Sequence, residues 1–280
     1  MTKTFQISLV LAGLCTVLFT NCSKKENQEV DNETQSVVDY AIIDQEFLSI
    51  VPAIYQSLQA TNGTGAATTP TVFTCDTLSY VSGDTSTFSP NVVYSLNTSG
   101  TTCGMIMPDG KTRTGKLTIR LNGKVKKDSK IIVKLVNYTS ENISYTCDSL
   151  VLTTLEMNTS SPSFNVTLIN GRCTSGTATI KYSFNRTFVI YPNGDSNADG
   201  AVIHVFGDAF GTNRQGTNFS TSVSQQESLL KHKTCRYIDK GLMELTPEGF
   251  KTRTIDFGNG TCDDEATFTV KENTVAFKLK

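Results

Sequence analysis

The sequence Asp195-Ser196-Asn197-Ala198-Asp199-Gly200 spells the first half of an EF-hand-like calcium loop. Oxygens at alternate positions wrap the ion in such a loop, and glycine makes the bend. The second half departs from the pattern, because Phe206 stands where a bidentate carboxylate closes the site and Asp208 falls two residues late. The segment also lies between two apolar stretches, Phe188 to Tyr191 and Val202 to Phe206, where a hairpin loop needs the same polar residues. Asp195, Asn197 and Asp199 therefore read as a turn whose calcium binding stays open, and no metal is assigned. Asp256-Phe257-Gly258 matches the metal-binding triplet of kinases, but no Gly-rich loop, strand lysine or catalytic loop accompanies it, so it reads as a strand end before a turn. His204 sits in an apolar strand and His232 between Lys231 and Lys233; with two histidines and no Gly-x-Ser-x-Gly elbow, Ser/His and metal-assisted hydrolysis lack their usual pieces. Acid–base work by two carboxylates stays open, since sequence does not show which Asp and Glu converge. Asp263-Asp264-Glu265 reads as a solvated turn, and no catalytic residue and no cofactor is assigned.

The cysteines are more informative. Beyond Cys15 and Cys22 there are Cys75, Cys103, Cys147, Cys173, Cys235 and Cys262, an even set whose pairing spacing alone leaves open. Thr74-Cys75-Asp76-Thr77-Leu78 recurs as Thr146-Cys147-Asp148-Ser149-Leu150 and faintly as Thr234-Cys235-Arg236-Tyr237-Ile238, while the other three cysteines follow glycine. Successive pairs are 28, 26 and 27 residues apart, which makes three copies of one unit the economical reading. Each copy holds two strand-like stretches around a polar turn, and a hairpin returns its second strand beside the start of its first. Opposed residues in such a pair lie within reach of a disulfide. The expected bridges are Cys75–Cys103, Cys147–Cys173 and Cys235–Cys262. A metal site would need clustered Cys and His at short spacing, and there is none in the sequence.

The elements that must carry these residues begin with an apolar run, Phe5 to Phe19, behind the basic start Met1-Thr2-Lys3, which has the pattern of a cleaved signal peptide and is too short for a membrane-spanning helix. Leu18-Phe19-Thr20-Asn21-Cys22 resembles a bacterial lipobox, with Asn21 and Phe19 departing from its usual residues, and the chain then turns polar. Residues 1–21 are thus expected to be removed and 22–34 to form a tether lipidated on Cys22. From Gln35 to Gln59, Val38, Ile42, Phe47/Leu48, Val51 and Ile54/Tyr55 recur at helical spacing, so residues 35–60 are expected to be a helix, kinked or broken at Pro52. Residues 71–280 read as strand: Leu117, Ile119 and Leu121 alternate with polar residues, as do Ala178, Ile180, Tyr182 and Phe184, and later Ala266, Phe268 and Val270. The expected fold is all-β, an antiparallel sheet built from disulfide-bridged hairpin repeats, with one N-terminal α-helix packed on it or serving as a stalk. The 280 residues, less the leader, are enough for one large or two ordinary domains. A formal charge of -1 gives no electrostatic case for nucleic acid, and the absence of Trp removes the side chain most used to stack sugars.

Several stretches resemble a group of hypothetical Bacteroidetes lipoproteins of unestablished biochemical role. They are Asp109-Gly110-Lys111-Thr112-Arg113-Thr114-Gly115-Lys116-Leu117-Thr118-Ile119, Val136-Asn137-Tyr138-Thr139, Gly211-Thr212-Asn213-Arg214-Gln215-Gly216 and the run from Lys251 to Asp263. The resemblance implies a surface or periplasmic lipoprotein of the outer membrane with a β-rich body, and carries over no catalytic residue. Arg113, Arg253 and the glycines beside them read as structural. Asp76-Thr77-Leu78 and Asp148-Ser149-Leu150 resemble the short O-glycosylation acceptor motif of the same bacterial group, which marks Thr77 and Ser149 as candidate acceptors. The functional expectation is an envelope lipoprotein that meets the membrane through its lipid and takes a glycan or protein ligand in binding, adhesion or surface structure. A glycan- or peptide-directed hydrolase using paired carboxylates, and a subunit of an envelope complex, are the alternatives.

Overall fold

Helix α1 (Gln35–Ala60) has apolar residues on every side with a few acids among them, and a helix of that kind has to be enclosed rather than laid on a surface. Twenty of its 26 residues are buried. The computed structural model describes residues 31–61, 71–73, 76–99, 109–196 and 198–280. The leader, Cys22, Cys75, Cys103 and Asn197 lie outside the described residues. The helix runs unbroken past Pro52 and packs against the inner face of the sheet, buried there along its length, so of the two expected roles it has that of a packed helix and not of a stalk. At its start, Glu33 takes the role of a cap: its Oε1 accepts from the Ser36 backbone N–H at 2.8 Å and from the Ser36 hydroxyl at 3.0 Å.

Around the helix runs an antiparallel sheet that follows the chain almost in order. Its strands are β1 (Thr71–Phe73), β2 (Asp76–Ser82), β3 (Val92–Ser99), β4 (Arg113–Leu121), β5 (Lys130–Ser140), β6 (Ile143–Thr146), β7 (Ser149–Glu156), β8 (Ser163–Ser175) and β9 (Ala178–Tyr191). A two-stranded ribbon, β10 (Gly194–Asp195) and β11 (Ala198–Asp199), leads to β12 (Val202–Thr212), β13 (Asn218–Val223), β14 (Leu229–His232), β15 (Lys240–Pro247), β16 (Arg253–Asn259), β17 (Glu265–Val270) and β18 (Asn273–Lys278). Two strands are broken in the middle: β6 and β7 share the place between β5 and β8, and β13 and β14 share the place between β12 and β15. The alternation read from sequence holds. Leu117, Ile119 and Leu121 point inward, as do Ile180, Tyr182 and Phe184, and Ala266, Phe268 and Val270. They join Phe47, Leu48, Val51 and Ile54 of the helix in one core.

The repeat is visible as three hairpins, β2–β3, β7–β8 and β15–β16, each framed by one of the cysteine pairs. Cys235 and Cys262 are bonded, with Cα atoms 5.6 Å apart. Cys147 and Cys173 are not, which corrects the pairing expected from the repeat. The register explains it: Cys173 on β8 stands opposite Tyr145 on β6, and Cys147 lies two residues on, in the break between β6 and β7. Diagonal neighbours of that kind are about 7–8 Å apart, beyond the usual reach of a disulfide. Burial pushes the two thiols up, Cys147 to about 11 and Cys173 to about 12.

Candidate functional site

Three inward-pointing sheet arginines and one from a turn each clamp a carboxylate of the N-terminal segment. Arg253 of β16 bonds Asp31 at 2.5 Å, and Arg214, in the β12–β13 turn, holds Asp39 at 2.6 Å. Arg186 of β9 places Nη1 2.9 Å from both oxygens of Asp44. Arg113 of β4 bonds Glu46 at 2.8 Å and grips Asp109 with both terminal nitrogens, at 2.7 and 2.8 Å. Tyrosine hydroxyls complete the carboxylates: Tyr40 and Tyr182 donate to Asp44, and Tyr138 to Glu46, each at 2.5 Å. Arg113 and Arg253 thus have the structural role read for them. A bulge makes the third tyrosine possible. Asn137 is the extra residue of β5 opposite Gly115, and it switches the inward positions so that Tyr138 faces the helix. Gly115 has φ +91°, and a Cβ there would lie 2.2 Å from the Asn137 carbonyl oxygen, so only glycine lets the strands close.

This interior is the place where paired carboxylates converge, and its electrostatics are wrong for acid–base chemistry. Burial pushes the Asp109 carboxyl up, but Arg113, Lys231 and Lys111 outweigh it and hold it at about 2. Glu46 behaves alike: burial raises it, and Arg113 and Lys111 bring it below its ordinary value. A hydrolase pair needs one carboxyl kept protonated near neutral pH and a route for substrate. Here both are ionised, and both side chains are sealed. Lys231 is the odd cation of the cluster: burial pulls it down, Asp109 only partly restores it, and it rests at about 8 while donating to the Cys235 carbonyl.

A different site lies on the outer face of the sheet. Where β8 passes β9 the register slips between Leu168 and Gly171, and the bulged Asn170 adopts φ +51°. Its N–H donates to the Ser183 hydroxyl at 3.0 Å and its side-chain amide to Asp148 at 2.6 Å. Ser183 is a small outward residue between Asn170 and Phe210 of β12, and the dent it leaves opens into a groove of about 380 Å³ across β8, β9, β12 and β13. Phe210 is 64% exposed, the most exposed of the large apolar side chains described. Beside it a row of outward residues crosses four strands: Arg172, Lys181, Thr212 and Asn218. Thr212 and Asn218 bond each other at 2.9 Å, and Asn218 donates to Glu248 at 2.8 Å. Beneath, the ring of Phe219 occupies the space a side chain at Gly211 would need.

The residues singled out by sequence fall elsewhere. Asp195 is bound to His204 at 2.5 Å, and His204 also meets Ser228 at 3.0 Å. Burial draws the His204 imidazole below its ordinary value, although Asp195 opposes it. Among the described residues, no group of three or more His, Cys, Asp or Glu side chains is placed to hold a metal ion. His232 bonds Asp239 at 2.8 Å, and burial raises that carboxyl. Asp264 and Glu265 pair with Lys278 on the surface. Thr77 is the second residue of β2 and Ser149 the first of β7, both half-buried. Sequence reasoning missed Phe210 and the helix carboxylates Asp39, Asp44 and Glu46. Comparison with protein-family models, with curated proteins and with solved structures finds no match. No described helix is long and apolar enough to cross a membrane.

Proposed function

We propose that this chain is a cell-envelope lipoprotein, anchored through Cys22, with a non-enzymatic binding role performed on the outer face of the sheet. One observation carries the binding role. The inside of the sheet is filled by a helix whose acids are all engaged, while the exposed Phe210 sits in a groove outside. An exposed aromatic beside unshielded polar side chains is the usual make-up of a recognition surface. The buried carboxylates, ionised and enclosed, argue against the hydrolase alternative.

Two measurements test the proposal. Cells fed radiolabelled palmitate are expected to label the wild-type chain and not a Cys22→Ser variant; label on both, or on neither, overturns the anchor. The folded protein is then titrated with soluble glycans, peptides and lipid vesicles while backbone amide shifts are followed. At least one class is expected to perturb β8, β9 and β12 around Phe210, and to stop doing so in Phe210→Ala. Silence of the groove towards all three classes overturns the binding role.

A further inference from the structure

We propose that the Phe210 groove binds an anionic sugar residue, carboxylated or sulfated, carried in a polysaccharide; this rests on the binding role proposed above. The charge comes from an arrangement that is unfavourable on its own. Arg172 and Lys181 are direct cross-strand partners on β8 and β9, both exposed and on the same face. Like charges so opposed repel each other. The arginines that meet the N-terminal segment, Arg113, Arg186, Arg214 and Arg253, all hold carboxylates. No side chain among the described residues takes Arg172 or Lys181: Asp148 bonds Asn170, Glu248 bonds Asn218, and Asp208, on the outward face of β12, lies four residue pairs along from Lys181. An anion held between the two cations removes the repulsion and satisfies both.

The sugar comes from Phe210 and from the strands that build the groove. Phe210 is two residue pairs along from Lys181 and one strand over, about 8 Å between Cα atoms, a span that a pyranose stacked on the ring and a long cationic side chain cover together. The C–H face of a pyranose covers such a ring, and the groove of about 380 Å³ holds one or two sugar units. A peptide is disfavoured because all four strands are interior to the sheet, with their backbone groups spent on neighbours, so no free edge exists for strand addition. Nucleic acid is disfavoured because two cations on a chain of formal charge -1 cannot track a phosphate backbone.

The test is titration calorimetry of the full folded chain with a galacturonic acid trisaccharide, a sulfated heparin tetrasaccharide, an uncharged galactose trisaccharide and a polyglutamate peptide. At least one anionic glycan is expected to bind ten-fold or more tightly than the neutral one, weakening as salt is raised. Phe210→Ala and the pair Arg172→Ala/Lys181→Ala should each weaken it ten-fold or more, Phe210→Tyr should retain it, and melting temperatures should stay near wild type because these side chains are exposed. Should Phe210→Ala not fold, Arg172→Glu/Lys181→Glu decides in its place by abolishing binding. Equal affinity for the neutral sugar, binding indifferent to these variants, or groove-dependent binding of polyglutamate alone overturns the anionic sugar and leaves the binding role standing. Silence of all four probes also overturns this inference, and the wider glycan, peptide and vesicle panel then decides the binding role separately.

Discussion

Replacing Arg186 with Met removes one side of an enclosed ion pair while keeping most of the apolar volume. Arg186 is 1% exposed, donates to both oxygens of Asp44, and also reaches the Tyr40 hydroxyl at 3.2 Å and Thr221 at 3.0 Å. In Arg186→Met, Asp44 keeps only the tyrosine hydroxyls against its charge, and stranding a buried charge costs about 3–5 kcal/mol. For a chain of this size that is on the order of 6–20 °C in melting temperature. Asp44→Asn in the same background removes the charge but keeps one amide oxygen for Tyr40 or Tyr182. The double variant should therefore recover about 2 kcal/mol or more relative to Arg186→Met. Urea unfolding of wild type, Arg186→Met, Asp44→Asn and the double variant at pH 7, followed by far-ultraviolet circular dichroism, supplies the four free energies. A loss below about 1 kcal/mol in Arg186→Met, or simple addition of the two single losses, would show that the pair is not what holds helix to sheet.

The pH dependence of stability should carry the mark of Lys231. Its folded pKa is about 8 and an unfolded lysine titrates near 10.5, so between those values the unfolded chain holds more protons and stability rises with pH. The rise should end near pH 10, where buried Tyr40, Tyr138 and Tyr182, all pushed up by burial, begin to favour the unfolded chain. Lys231→Met should flatten the rise in melting temperature from pH 8 to 10. On the acid side, Asp109 titrates at about 2 folded and 3.8 unfolded, so its contribution is present above pH 4 and disappears as pH falls through 2, a loss that Asp109→Asn should not show. Cys235→Ser/Cys262→Ser opens a 27-residue loop and should cost about 3–4 kcal/mol in urea unfolding. Iodoacetamide at pH 8 should leave Cys147 and Cys173 unmodified in the native protein and alkylate both in urea, as peptide mass spectrometry would register; native alkylation of the buried Cys173 would contradict the packing of β8.

Much of this architecture can be read from residue order, and the exceptions have causes. Period-two alternation gives the strands, and the cysteine repeat gives the three hairpins, because both depend on neighbours in sequence. The Cys147–Cys173 pairing fails where alternation is interrupted, at the β6–β7 break and at the Asn170 bulge. The helix carboxylates were visible as polar residues inside an apolar helix, yet their arginine partners are 67 to 175 residues away, and no local pattern points to them. Phe210 had a local signal: it shares the phase of His204 and Asp208, the outward side of β12.

The helix inside the sheet also has a consequence for the order in which the molecule can be completed. It is the first of the described elements to be synthesised, and its partners arrive in sequence: Arg113, then Tyr138, Arg186, Arg214 and finally Arg253. Until β16 has been made, Asp31 has no arginine to close on, and Glu33 holds only its cap to Ser36 and the amide of Asn213. A nascent chain therefore carries a charged, water-averse segment through most of its synthesis. Loss of the last few dozen residues would be felt first at the opposite end of the chain.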